Sequence, residues 1–253
     1  MIKKLSKKAS LLSALVLTMA LFAGCSNEKE NQKVADIEVK TIATKELQDK
    51  LSDDSWVVVD TRINDAFNGW KLDEVERGGH IKGAVDFSAN WLTVDSKDKE
   101  KTLDKALETK GIEKDKNIVL YDANGKDAKE VANYLSEKGY KNLYTYNVAD
   151  WAKDESLPME SYENYEMIVP ATIVNDILDG KKPETFENSK NIKIVEASWG
   201  EESEAYSKGH VPTSVHINTD TVEPPPQWML ASDEELAKFA NDYGFTKDDT
   251  VIV

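Results

Sequence analysis

Val57-Val58-Val59-Asp60-Thr61-Arg62, followed by Gly79-His80-Ile81-Lys82-Gly83-Ala84-Val85, is the stretch on which the fold turns. About 130 residues later the chain repeats itself, as Lys193-Ile194-Val195-Glu196 and then Gly209-His210-Val211-Pro212-Thr213-Ser214-Val215. Two outer landmarks recur with this pair. Ile42-Ala43-Thr44-Lys45-Glu46-Leu47 ahead of Leu51 returns as Val169-Pro170-Ala171-Thr172-Ile173-Val174 ahead of Leu178. Gly111-Ile112-Glu113-Lys114-Asp115 with Ile118-Val119-Leu120 returns as Gly244-Phe245-Thr246-Lys247-Asp248 with Val251-Ile252-Val253. The order is the same in both copies, and the period is that of a domain, too long for a solenoid unit. Duplication is the simplest account.

Inside each copy, helical and extended patterns alternate. Val57 to Val59 is a continuous β-branched run ending in a carboxylate, the pattern of a strand buried on both faces. Leu47 and Leu51 share one face of a short helix. Val131, Tyr134 and Leu135 point inward from a helix that Gly139 stops. Ser232-Asp233-Glu234-Glu235 is a capping box, opening a helix that buries Leu236, Phe239, Ala240 and Tyr243 and stops at Gly244. Short buried strands separated by helices predict an α/β fold, a central parallel sheet flanked by helices. Tyr146 to Asp154 reads as the end of the first copy, Ser156 to Glu166 as a polar linker, and Pro224-Pro225-Pro226-Gln227-Trp228 as a stiff surface connection.

The net charge is −15, and the only basic cluster, Lys3, Lys4, Lys7 and Lys8, sits ahead of the folded part. An acidic body repels nucleic acid and anionic headgroups, so neither is expected as its partner. After the lysines comes an apolar run from Leu11 to Phe22, about 12 residues where a bilayer span needs roughly 20. That is an export signal. It ends in Leu21-Phe22-Ala23-Gly24-Cys25, which resembles the lipobox of bacterial lipoproteins. The resemblance implies cleavage before Cys25, the only cysteine in the chain, and lipid on its sulfur. The expected partner is therefore the membrane and the expected location its extracytoplasmic face. Residues 1–24 are the signal peptide and 25–36 a polar tether.

The runs from Val57 to Arg62, from Gly79 to Val85 and from Ile118 to Asp122 resemble a rhodanese (thiosulfate or mercaptopyruvate sulfurtransferase) domain. The run from Lys193 to Asn218 is similar to the opening of a second. The resemblance implies two rhodanese-like domains in tandem, 37–158 and an incomplete 168–253. It further implies that an active copy carries a cysteine at the end of the strand matching Ile118–Tyr121. Loop amides and the helix N-terminus there favour the thiolate and its persulfide. Here that loop reads Asp122-Ala123-Asn124-Gly125-Lys126-Asp127. Asp122 replaces the cysteine and Asp127 the customary basic residue, so no catalytic residue is expected in the first copy. Asp122 is read as a cap for the loop and its helix. A cation site at Asp122, Asn124 and Asp127 is the rival reading, but the spacing does not match a calcium loop.

Family structural positions are Asp60 and Arg62 as an internal ion pair, Glu196 as the second copy's counterpart of Asp60, and His80 and His210 as packing residues of the Gly-His turns. The histidines are too scattered for a metal site, and sulfur relay needs no cofactor. The second copy reaches Val253 about two positions short of its own loop, so the expectation is a longer parent protein. Two functions stay open. One is a sulfurtransferase acting on a small sulfur-containing anion, its cysteine beyond residue 253, with the fragment itself inactive. The other is a non-catalytic lipoprotein that binds an anion or a protein.

Overall fold

The computed structural model describes residues 38–200 and 204–253. The expected signal peptide, Cys25 and the expected tether lie outside the described residues. Among those described, no helix is long and apolar enough to cross a membrane. The described residues belong to one compact unit.

In chain order the elements are β1 (Lys40–Thr41), α1 (Thr44–Lys50), β2 (Trp56–Asp60), α2 (Asn64–Asn68), β3 (His80–Ile81), β4 (Val85–Asp86), α3 (Lys99–Thr109), β5 (Asn117–Asp122), α4 (Asp127–Glu137), β6 (Leu143–Asn147), α5 (Val148–Ala152) and β7 (Met159–Glu160). Then come α6 (Ala171–Leu178), β8 (Asn191–Ser198), α7 (Glu204–Lys208), β9 (Val215–Asn218), α8 (Asp233–Asp242) and β10 (Asp249–Ile252).

The first sheet is parallel throughout, in the order β1-β6-β5-β2-β4. Strand side chains alternate between its faces. Val59, Ile118 and Leu120 pack with Leu103 and Leu107 of α3 and Val131 and Leu135 of α4. Val58, Val119 and Tyr121 pack with Leu47 of α1 and Trp151 of α5 on the opposite side. Cover on both faces is the reason β2 and β5 read as unbroken apolar runs. The expected polar linker holds a surprise. Met159 and Glu160 form β7, which pairs antiparallel with β3 as Ile81↔Met159 and His80↔Glu160, so hydrogen bonding of the first half runs past the expected boundary at 158.

A second sheet, β10-β8-β9, is also parallel. Its registers follow those of β5-β2-β4. Val57↔Ile118 and Val58↔Val119 in the first sheet correspond to Lys193↔Val251 and Ile194↔Ile252 in the second. Val59↔Val85 and Asp60↔Asp86 correspond to Val195↔Val215 and Glu196↔His216. These are the residue matches the repeated sequence landmarks set.

The halves differ in the connection before the Gly-His turn. His80 lies 13 positions after the ring it stacks on, Phe67, whereas His210 lies 4 after its own, Tyr206. The longer connection reaches the second half. Its Trp70 packs with Ile173, Phe186 and Ile252, and its indole N–H donates to the Ile168 carbonyl at 3.0 Å. Gly69 is required there, since a Cβ would stand 2.3 Å from the Tyr165 ring. Arg77, on the same connection, donates to the carbonyls of Trp151, Ala152, Asp154 and Leu157 at 2.8–3.0 Å.

Candidate active-site loop

The loop from Asp122 to Asp127 joins β5 to α4 at the carboxyl end of the first sheet, the end at which open α/β sheets receive ligands. Asp122 is buried, and both its oxygens are taken by the backbone. Oδ1 accepts from the Gly125 N–H at 2.8 Å and Oδ2 from the Ala128 N–H at 3.0 Å. The second of these amides belongs to the first turn of α4, where backbone donors have no partner within the helix. Gly125 has φ +74°, a left-handed conformation that lets its amide turn inward toward the carboxylate. Asn124 accepts from the Lys126 N–H at 2.9 Å, and the Lys126 ammonium lies 3.9 Å from Glu130. Burial, and then the Asp122 charge, raise the Asp127 carboxyl above its ordinary range. A cleft of about 510 Å³ opens beside the loop, walled by Thr41, Asp122, Asn124, Lys129, Thr145 and Tyr146.

Beneath the loop lies a closed electrostatic knot. Asp60 and Arg62 are buried, with Arg62 Nε donating to Asp60 Oδ1 at 2.9 Å and its terminal nitrogen to Oδ2 at 2.6 Å. The same nitrogen donates to the Gly79 carbonyl at 2.7 Å. The guanidinium also lies 5.6 Å from the centre of the Tyr121 ring. Burial, reinforced by the Asp60 charge, lifts the Tyr121 phenol well above its usual value, so it stays protonated. Arg62 thus spends its Nε and one terminal nitrogen on Asp60 and the Gly79 carbonyl, the arrangement of a structural pair.

His80 stacks on Phe67 with ring centres 3.9 Å apart, and its Nδ1–H donates to the Phe67 carbonyl at 2.8 Å. His210 repeats the arrangement on Tyr206, at 4.0 Å and 2.9 Å. Glu196 lies on β8 directly opposite His216. The sequence reading missed Arg77, although it is one of only two arginines in the chain. It also left His216 unmatched, and His216 Nε2 is 2.7 Å from Ser198 Oγ.

Residues 43–151 match the model of the rhodanese-like domain. Their parallel sheet flanked by helices is consistent with that fold. Over 247 residues the chain is 26% identical to thiosulfate sulfurtransferase YnjE of Escherichia coli (strain K12), covering 98% of this chain and 52% of that protein. Among solved structures it is similar to EanB in complex with ergothioneine, at 30% identity and a TM-score of 0.74, covering 85% of this chain and 49% of that one. It is equally similar to the anaerobic ergothioneine biosynthesis enzyme of Chlorobium limicola in complex with trimethyl histidine, with 30% identity, a TM-score of 0.74 and 85% and 49% covered. The chain thus spans about half the length of the relatives it matches. The stretch that matches the rhodanese-like domain holds a carboxylate, not a thiol, at the end of β5.

Proposed function

We propose that this protein is a membrane-tethered sulfurtransferase of the rhodanese family, in which the first domain is scaffold and the sulfur carrier lies outside residues 26–253. One observation carries the reading: Asp122 occupies the cradle of inward-turned amides that a persulfide anion uses, and a carboxylate accepts those bonds without carrying sulfur. The shared register of the two sheets supports a tandem pair of rhodanese-like halves. Homology to a thiosulfate sulfurtransferase supports the reaction class. In that reaction a cysteine thiolate attacks the sulfane sulfur of thiosulfate and sulfite leaves with the bonding pair. A thiophilic acceptor then takes the sulfur and restores the thiolate.

Thiosulfate-to-cyanide transfer by the full-length protein tests this. Thiocyanate release is expected from the full-length protein and not from residues 26–253. Turnover by the shorter chain would overturn the assignment of the carrier, and none by the full-length protein would overturn the reaction class. The second reading, a tethered binding module, is favoured by the thiol-free loop alone. It gains if the full-length protein holds no persulfide after thiosulfate treatment, as measured by intact mass. Tethering rests on the Leu21–Cys25 lipobox. Lipid mass on the peptide beginning at Cys25 is expected, with release to the soluble fraction in Cys25→Ala; an unmodified Cys25 would end that part of the proposal.

A further inference from the structure

We propose that a groove along α3 is a binding site for a medium-chain fatty carboxylate, an amphiphile of the octanoate class. The groove has a volume of about 380 Å³, and small-molecule pockets run from roughly 300 to 1,000 Å³. One wall is a single face of α3, where Lys99, Thr102, Leu103 and Ala106 recur at helical spacing. The other holds Trp91 and Val94, in and just beyond the 3-10 turn Ala89–Thr93. Leu103 is buried, Trp91 and Ala106 are half-buried and Val94 is exposed. An indole and three aliphatic side chains thus line a slot open to water. None of its residues lines the cleft beside Asp122.

The lining carries one charge, and it is positive. Lys99 is half-buried, with its ammonium donating to the Leu92 carbonyl. An ammonium has three donors, so two remain. Among the described residues no carboxylate lies within ion-pair distance of it. The acids of α3 on either side of that turn are engaged elsewhere: Glu100 and Asp104 face Lys138, at the end of α4, at 3.1 and 2.6 Å. Asp95 and Asp98 are exposed, where water and salt screen them. The other ammonium near the indole, Lys110, lies 5.5 Å from the ring centre but is paired with Asp86 at 2.5 Å. The Thr102 hydroxyl is given to the Asp98 carbonyl at 3.1 Å. A half-buried cation beside an apolar slot, in a chain of net charge −15, calls for a ligand with an apolar tail and one negative head.

Size and charge argue against other occupants. Seven residues line the groove, whereas a stable protein interface takes about 20–30 on each side. An acyl chain in ester linkage, such as one on a lipid anchor, has no carboxylate and leaves the ammonium unanswered. A free fatty carboxylate meets both needs. Its methylenes lie along Trp91, Leu103 and Ala106, and its head takes the open donors of Lys99.

Calorimetric titration of the 253-residue chain with hexanoate and octanoate, below micelle formation, tests the site. Saturable binding at one site is expected, about threefold tighter for each methylene added. The neutral 1-octanol binds at least about fivefold more weakly than octanoate. Lys99→Gln weakens octanoate about fivefold and leaves 1-octanol unchanged, a split that a merely structural lysine would not give. Ala106→Phe fills the slot and weakens both ligands at least about tenfold, with a cooperative urea transition as the check on folding; the Lys99→Gln split decides the matter should that variant not fold. Absence of saturation, equal affinity for octanol and octanoate, equal weakening of both by Lys99→Gln, or a folded Ala106→Phe that binds as before overturns the inference.

Discussion

The two sheets share strand order and register, yet they are finished differently. In the first, Ile118 is 1% exposed under α3 and α4, while its register counterpart Val251 is 44% exposed. Helix α3 buries Leu103 and Leu107; α8, at the corresponding place, has no fully buried residue. At the strand end the first half seals a charged pair beneath its loop, whereas the second offers a hydroxyl and an imidazole within reach of solvent. Backbone pairing alone therefore does not set how firmly a residue is held. What lies over the sheet does. The first half packs helices over both faces of its sheet, and its long connection from Gly69 to Gly79 fastens it to the second half through Trp70.

Removing one partner of the sealed pair breaks this contrast most forcefully. Asp60→Asn leaves a buried guanidinium without its counter-ion and is expected to cost about 3–5 kcal/mol. Ser198→Ala, at the matched end of β8, costs under about 1 kcal/mol. Urea unfolding of the two variants measures both, and equal losses would dissolve the distinction between a closed and an open strand end. The helices give a second comparison. Leu103→Ala empties a packed site and is expected to cost about 2–5 kcal/mol. Leu236→Ala, at the corresponding turn of half-buried α8, costs about 1 kcal/mol by the same denaturation.

The loop itself supplies a third test. Asp122→Ala strands the Gly125 amide of the loop and the Ala128 amide of the first turn of α4 and costs about 1–3 kcal/mol. Asp122→Cys sharpens it. The same amides should hold the new thiol below the ordinary cysteine value of about 8.5, read as iodoacetamide labelling that persists at lower pH than for a free thiol. A thiol of ordinary reactivity would mean that the cradle does not favour an anion.

Much of this architecture was written in local sequence. Val57–Val59 and Ile118–Leu120 announce doubly covered strands, and the repeated landmarks give the strand registers of the second sheet residue by residue. Less legible were features that depend on distant partners. Met159 and Glu160 sit in a polar run, and only the free edge of His80–Ile81 makes them a strand. Arg77 looks like one more surface charge until four carbonyls around the end of α5 converge on it. The expected face of α8 is the one turned inward, but Leu236, Phe239, Ala240 and Tyr243 end up half-buried, because periodicity names a face and says nothing of what covers it. The Ser198–His216 pair was invisible for a related reason: two residues 18 apart in sequence meet only across the strand register.

The smallest expected effect concerns that loosely covered helix. Glu235 accepts from the Ser232 hydroxyl at 2.6 Å and from the Ser232 N–H at 2.9 Å, closing the capping box of α8. The hydroxyl bond first, and the amide bond with it, hold the Glu235 carboxyl below its ordinary range. A carboxyl whose folded value is lowered binds its proton less readily in the native state than in the unfolded one. Its contribution is therefore present above the unfolded value and is lost as the pH falls through the folded one. Protection of the first-turn amides of α8, corrected for intrinsic exchange, should decline over that acid window. Glu235→Gln removes the dependence while keeping an acceptor, and the first-half helix α3 should pass through the same window unchanged, because buried Leu103 and Leu107 and not a capping carboxylate hold it down. If α3 loses protection in step with α8, the two halves open as one unit and the contrast in their cover has no consequence for local stability.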